Sequence, residues 1–197
     1  PAGRPLEPAA WFPRLLVQNV LAVPGVLFRR RILASVGAMD ERRPYATDWD
    51  FWLRMAQRHT AWVVPEPLAD FRLHAESQTL SLSRRHADFV AQLESVVADH
   101  RGDLARLGAS GRWGRMADLG VEVNAWLAAR AARQPWPSGR LLRAVRRAGP
   151  VDVLRYIRAA QLVPRVTARL RVRVQMLPPA NCSPVMPFAR RTLLVNP

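Results

Sequence analysis

NVLAVPGVLFRRRILASVGAMDERRPYATDWDFWLRMA (19–56) changes its hydrophobic period several times, and those changes set the fold class. LAVPGVLF (21–28) is an apolar run bounded by Asn19 and by Arg29, Arg30 and Arg31, which predicts a buried strand broken by Pro24-Gly25. RRILASVG (30–37) reads as a short helix stopped by Gly37. From Asp48 onward, Phe51, Trp52, Met55 and Ala56 recur at helical spacing, predicting a helix to about Arg58. Beyond it, TAWVVPE (60–66) and LADFRLH (68–74) are short extended runs separated by Pro65 and Pro67. This part of the chain is therefore expected to mix α and β.

The period then becomes helical. Phe89, Val90, Leu93, Val96, Val97, Leu104 and Leu107 share one apolar helix face, and GASG (108–111) breaks it. A second helix is expected over 112–133, with Met116, Leu119, Val123 and Leu127 inward, until PWPSG (135–139) ends it. A third, over 140–148, sets Arg140, Arg143 and Arg147 opposite Leu141, Leu142 and Val145, the pattern of a basic amphipathic helix. Gly149-Pro150 opens a further helix that Pro164 is expected to stop. RLRVRVQM (169–176) alternates like a strand edge, although a short helix also fits, and LPPANCSPVMPF (177–188) reads as irregular. Three regions follow: 1–83, mixed; 84–134, a helical hairpin; and 135–197, a basic helical extension with a Pro-rich tail.

Composition narrows the function classes. The formal charge is +15, from 30 basic residues against 15 acids, and every base is Arg. Residues 139–197 hold twelve arginines against the single acid Asp152, so the excess is concentrated where it can meet phosphates of lipid or nucleic acid. An Arg-rich face at helical spacing is equally the pattern of a solvated surface. The single Cys182 excludes an internal disulfide framework and a Cys-based zinc site, which fits a reducing compartment. WFPRLLVQNVLAVPGVLF (11–28), interrupted by Arg14, Gln18, Asn19 and two prolines, is a poor bilayer span. The chain begins PAGRP, without Met, and we read it as a piece of a longer polypeptide.

YATDWDFWLRM (45–55) poses the chemical question, because Asp48 and Asp50 flank Trp49 at a helix start. An acid there can satisfy orphan backbone N–H groups and the helix dipole. Held toward a cleft, the same carboxylate can take a proton from a substrate hydroxyl. Asp50 lies about 200° around the helix from Asp48 and is placed to pair with Arg54 at i+4. His59, His86 and His100 have no ligand spacing and are expected at the surface.

Taken in order, NVLAVPGVLFRRRILASVGAMDE (19–41), YATDWDFWLRMA (45–56) and VPEPLADFRLHAES (64–77) resemble the second half of the catalytic domain of inverting, nucleotide-sugar-dependent glycosyltransferases of the GT-A fold. The resemblance covers about residues 15–83. It implies an α/β, Rossmann-like half domain followed by a mainly α-helical C-terminal extension, with the nucleotide-binding half elsewhere. Gly37-Ala38-Met39-Asp40-Glu41 matches the family's Gly-x-x-Asp-Glu turn. Thr47-Asp48 occupies the slot of its acidic motif, usually Glu-Asp, which makes Asp48 the implied general base; Thr47 departs from the pattern. Asp48-Trp49-Asp50 is not the family's Asp-x-Asp metal motif, which lies earlier in such chains.

The resemblance further implies that Arg72 and His74, in FRLHAES, contact the diphosphate, and that His74 reaches the metal. A divalent cation, Mg²⁺ or Mn²⁺, would be bound mainly by the other half. Trp49 is a candidate to stack on an acceptor sugar, with a core position as the alternative. Asp40 either lines the acceptor cleft or shapes its turn. The implied partners are a nucleotide-sugar donor, a glycan or lipid-linked acceptor and a membrane surface, with no nucleic acid; the implied place is the cytoplasm, peripheral at the inner face of the plasma membrane. The competing class is a non-catalytic basic helical module that binds a membrane surface or nucleic acid.

Overall fold

The computed structural model describes residues 5–64, 66, 68–69, 71–72, 86–109, 111–167, 185–186 and 192–195. The chain is mainly helical, with a small amount of sheet. Helices α1 (Pro8–Val17), α2 (Leu33–Val36), α3 (Thr47–Ala56), α4 (His86–His100), α5 (Asp103–Arg106), α6 (Gly111–Ala131) and α7 (Ser138–Ala159) are joined by strands β1 (Pro5–Leu6), β2 (Val26–Phe28), β3 (Ala61–Val64), β4 (Phe71–Arg72), β5 (Val185–Met186) and β6 (Thr192–Val195).

The strands are short. One sheet runs β1-β3-β6-β2, in which only the β2–β6 pairing is parallel; β4 and β5 form a separate antiparallel pair. β5 falls within the stretch expected to be irregular, where its backbone pairs with Phe71 and Arg72. RLRVRVQM (169–176) and Cys182 lie outside the described residues. The strand expected over 21–28 is shorter and more open than its sequence implies: Val23–Gly25 form a 3-10 turn, and within β2 Leu27 is 65% exposed. Pro24 removes a backbone donor, so the chain enters the sheet only after Gly25.

Helix α1 is the element that the sequence hid. Pro8 sits in its first turn, where a missing N–H costs nothing, while Pro13 interrupts the ladder within it. Burial of Trp11, Phe12, Leu15 and Leu16 outweighs that lost bond. These side chains meet Phe51, Trp52, Leu53 and Met55 of α3, Leu93, Val96 and Val97 of α4, and Val121 of α6 in one core. That core draws on residues from both sides of position 83.

Around Gly37 the prediction matches: a 3-10 turn over Arg30–Ile32 leads into α2, and Gly37 at φ 75° ends it in a conformation that favours glycine. A smaller core joins Val17, Met116, Leu119, Ala148, Tyr156 and Ala160, locking α7 onto α6 and the end of α1. Gly120 permits this closeness, since a Cβ there would lie 2.3 Å from the carbonyl oxygen of Val17. The break expected at 149 is present: Gly149, at φ 73°, is non-helical and divides α7 at a kink, and Pro150 restarts the helix. It ends at Ala159 rather than at Pro164; Pro164 instead sits early in a further helical stretch over 162–167, where its ring is tolerated.

Candidate functional site

The start of α3 brings together residues 29 positions apart. Asn19, just past α1, donates from Nδ2 to Oδ2 of Asp48 at 3.3 Å, and its Oδ1 accepts the Leu21 N–H at 3.2 Å. The side chain thus clamps the strand entry to the first turn of α3. Oδ1 of Asp48 accepts the Trp49 N–H at 2.6 Å. The N-cap itself is Ala46, which has no capping side chain, so Asp48 serves one orphan donor from inside the first turn.

Asp48 has neutral partners only: no ion pair among the described residues includes it. Burial raises its pKa above the ordinary carboxylate value, against the opposing pull of the Trp49 N–H and the Asn19 amide. Beside it, the Thr47 hydroxyl is buried without a hydrogen-bond partner among the described residues.

Asp50, two residues on, has the opposite surroundings. It accepts from Arg54 Nε at 2.9 Å, the expected i+4 pair, and from His100 Nε2 at 2.9 Å, while Arg43 stands 3.6 Å away. Desolvation pushes its pKa up, yet the His100 hydrogen bond, the Arg54 charge and their companions outweigh it and hold the group below the ordinary value. One sequence stretch therefore carries two carboxylates whose environments drive them apart, the arrangement that separates a proton-accepting role from a fixed charge.

The remaining candidates divide. Trp49 is 4% exposed and its indole donates to the Leu15 carbonyl at 2.7 Å, which makes it a core residue with no free ring face for a sugar. Asp40 is tied to its own turn: Arg42 donates from Nε at 2.9 Å, from Nη2 at 3.0 Å and from its backbone N–H at 3.1 Å, with Arg43 at 3.6 Å. The Arg42 bonds lower its carboxyl to about 2. Arg72 lies in β4, its backbone opposite Val185, but its side chain and all of His74 lie outside the described residues. Among the described residues, no three His, Cys, Asp or Glu side chains cluster to hold a metal. The expected metal contact rests on His74.

Two histidines expected at the surface are buried. His86 bonds the Ala125 carbonyl at 2.9 Å and stands edge-on to Trp136. His100, 5% exposed, links Asp50 to Gln57, whose amide lies 2.8 Å from Nδ1. Nε2–H serves Asp50, while Nδ1 faces both the Gln57 amide and, at 3.4 Å, Oδ2 of Asp103. The His-x-x-Asp spacing of His100 and Asp103 was the available signal; Asp50 lies 50 positions away, beyond any local pattern. His59, half-buried, bonds Ser35 Oγ at 2.8 Å.

A groove of about 710 Å³ lies between α4, α6 and α7, and no residue of α3 lines it. Its acids are already engaged: Glu94 and Glu122 by Arg140, and Asp118 by Arg101.

Compared with protein-family models, with curated proteins and with solved structures, the chain matches none.

Proposed function

We propose that the chain is the acceptor-side part of an inverting glycosyltransferase of the GT-A type, acting with a nucleotide-binding half that these residues do not include. The observation that carries this reading is the environment of Asp48, a largely buried carboxylate at a helix start with a raised pKa and, among the described residues, no cation beside it. Such a group gains more from taking a proton than an exposed or paired carboxylate does, and that is the property a general base needs.

In this reading the acceptor hydroxyl gives its proton to Asp48 as its oxygen attacks the anomeric carbon, and the nucleoside diphosphate leaves from the opposite face. Asn19 holds the carboxylate in place, and Asp50 with Arg54 and His100 anchors the helix that presents it. A divalent cation, when bound, neutralises charge on the departing diphosphate. The α/β half domain, the nucleotide-sugar donor, the glycan or lipid-linked acceptor and the placement at the inner face of the plasma membrane belong to this same proposal.

The test is sugar transfer by the polypeptide that carries both halves. Asp48→Asn is expected to lower kcat by a factor of about 100 or more while nucleotide-sugar affinity stays close to wild type. Transfer undiminished in Asp48→Asn overturns the assignment.

A further inference from the structure

Helix α7 carries an outer face that neither the core nor the ion pairs explain. Ala148, Asp152 and Tyr156 point inward and are buried. On the other side, Leu142 is 49% exposed, Val145 36%, Val151 56% and Leu154 60%. Each pair stands at i, i+3 and is followed at once by an arginine: Leu142, Val145 and Arg146 before the kink, and Val151, Leu154 and Arg155 after it. Residues at that spacing share one helix face.

The charges on the helix are unevenly satisfied. Arg140 is engaged by Glu94 and Glu122, and Arg155 by Asp152, which also binds Arg115. Asp152 is the helix's single acid. Arg143, Arg146, Arg147 and Arg158 have no acidic partner among the described residues. Arg143 and Arg147 line the groove between α4, α6 and α7, which leaves Arg146 and Arg158 as the arginines beside the exposed aliphatic side chains without an acidic partner among the described residues.

We infer that the outer face of α7 docks on an anionic bilayer surface. Leu142, Val145, Val151 and Leu154 enter the boundary between headgroups and acyl chains, while Arg146 and Arg158 meet lipid phosphates. The aliphatic side chains decide the occupant: a nucleic-acid backbone would use the arginines and leave the leucines and valines wet, whereas a bilayer takes both. Among the described residues no helix is long and apolar enough to cross a membrane, so the contact is lateral. The kink at Gly149 offsets the two apolar pairs, and each half of α7 presents its own. This inference stands independently of the sugar-transfer reading.

Flotation of the chain with vesicles tests it, using phosphatidylcholine alone and phosphatidylcholine mixed with phosphatidylglycerol. The chain is expected to float with the mixed vesicles and not with the neutral ones, and added salt should weaken the association. Two double variants separate the contributions. Leu142→Ser with Leu154→Ser keeps the charge and is expected to lower partitioning about tenfold, as is Arg146→Gln with Arg158→Gln. All four positions are exposed, and an unchanged circular dichroism spectrum shows that each variant is folded. Failure to float with the anionic vesicles overturns the inference. So does a serine variant that floats like wild type while the glutamine variant loses vesicles and duplex DNA alike, which would assign the face to polyanions in general.

Discussion

His100 donates its Nε2–H to Oδ1 of Asp50 at 2.9 Å where α4 meets α3, with neither side chain more than 10% exposed. Arg54, on the other oxygen of Asp50, donates in turn to the carbonyls of Val36 and Ala38, so the loop around Gly37 is bound to α3 through the same carboxylate.

Asp50→Asn is therefore expected to cost about 3 kcal/mol, because it leaves Arg54 without its counter-charge, whereas Arg43 keeps Asp99 and Asp40. The pH dependence has a definite sign. The folded pKa of Asp50 lies below the ordinary 3.8, so its contribution is fully present above that value and is lost as pH falls through the lower folded value. Urea denaturation of both proteins at neutral and acid pH should show the difference shrinking as pH falls.

Asp48→Asn should act in the reverse sense on stability. Its folded pKa is raised, so the folded state favours the protonated carboxyl, and ionisation penalises folding above the ordinary 3.8. A neutral amide relieves the penalty, at the loss of one of the two accepted bonds, because its Nδ2 must face either the Asn19 amide or the Trp49 N–H. The expected result is a Tm higher by a few degrees at neutral pH, with the gain disappearing below that ordinary value. A variant that is more stable yet inactive in sugar transfer would mark Asp48 as a residue kept for chemistry; a less stable one would mark it as structural.

Gly120→Ala tests the approach of α6 to α1. Its Cβ would stand 2.3 Å from the Val17 carbonyl oxygen and 3.5 Å from the Tyr156 ring, so the helices must separate. A loss of about 2–3 kcal/mol is expected. Gly139→Ala is the control: its Cβ would meet only Arg143 Nη1, at 3.7 Å, and helix propensity then favours the alanine slightly.

Tyr156→Phe is expected to leave stability unchanged or to raise it by up to about 1 kcal/mol, since the phenol oxygen is buried with no hydrogen-bond partner among the described residues. Burial pushes this phenol up to about 12 from its ordinary 10.0. The wild type should therefore lose stability as pH rises between those values, and the Phe variant should lack that slope in thermal melts.

The parts of this protein that could be read from the chain are those governed by local geometry. Helix α3, the stop at Gly37 and the Asp50–Arg54 pair follow from a 3.6-residue period, from an αL-type position and from i, i+4 spacing. Helix α1 was obscured by Pro8 and Pro13, whose cost is local while the compensating burial is not. His100 read as a surface residue because nothing nearby reports on Asp50. Trp49 was open to either reading, and its hydrogen bond to Leu15 resolves it in favour of the core.

The sequence by itself determined where helices begin and break, where the positive charge accumulates and which carboxylates stand at the start of α3, because each of these depends on neighbours within about one or two helical turns. Only the tertiary structure decided how the surroundings of Asp48 and Asp50 differ beyond Arg54. It set Asn19 against one and His100 and Arg43 against the other. Their protonation follows from burial and from charges brought in by distant segments, and those quantities exist only once the chain has packed.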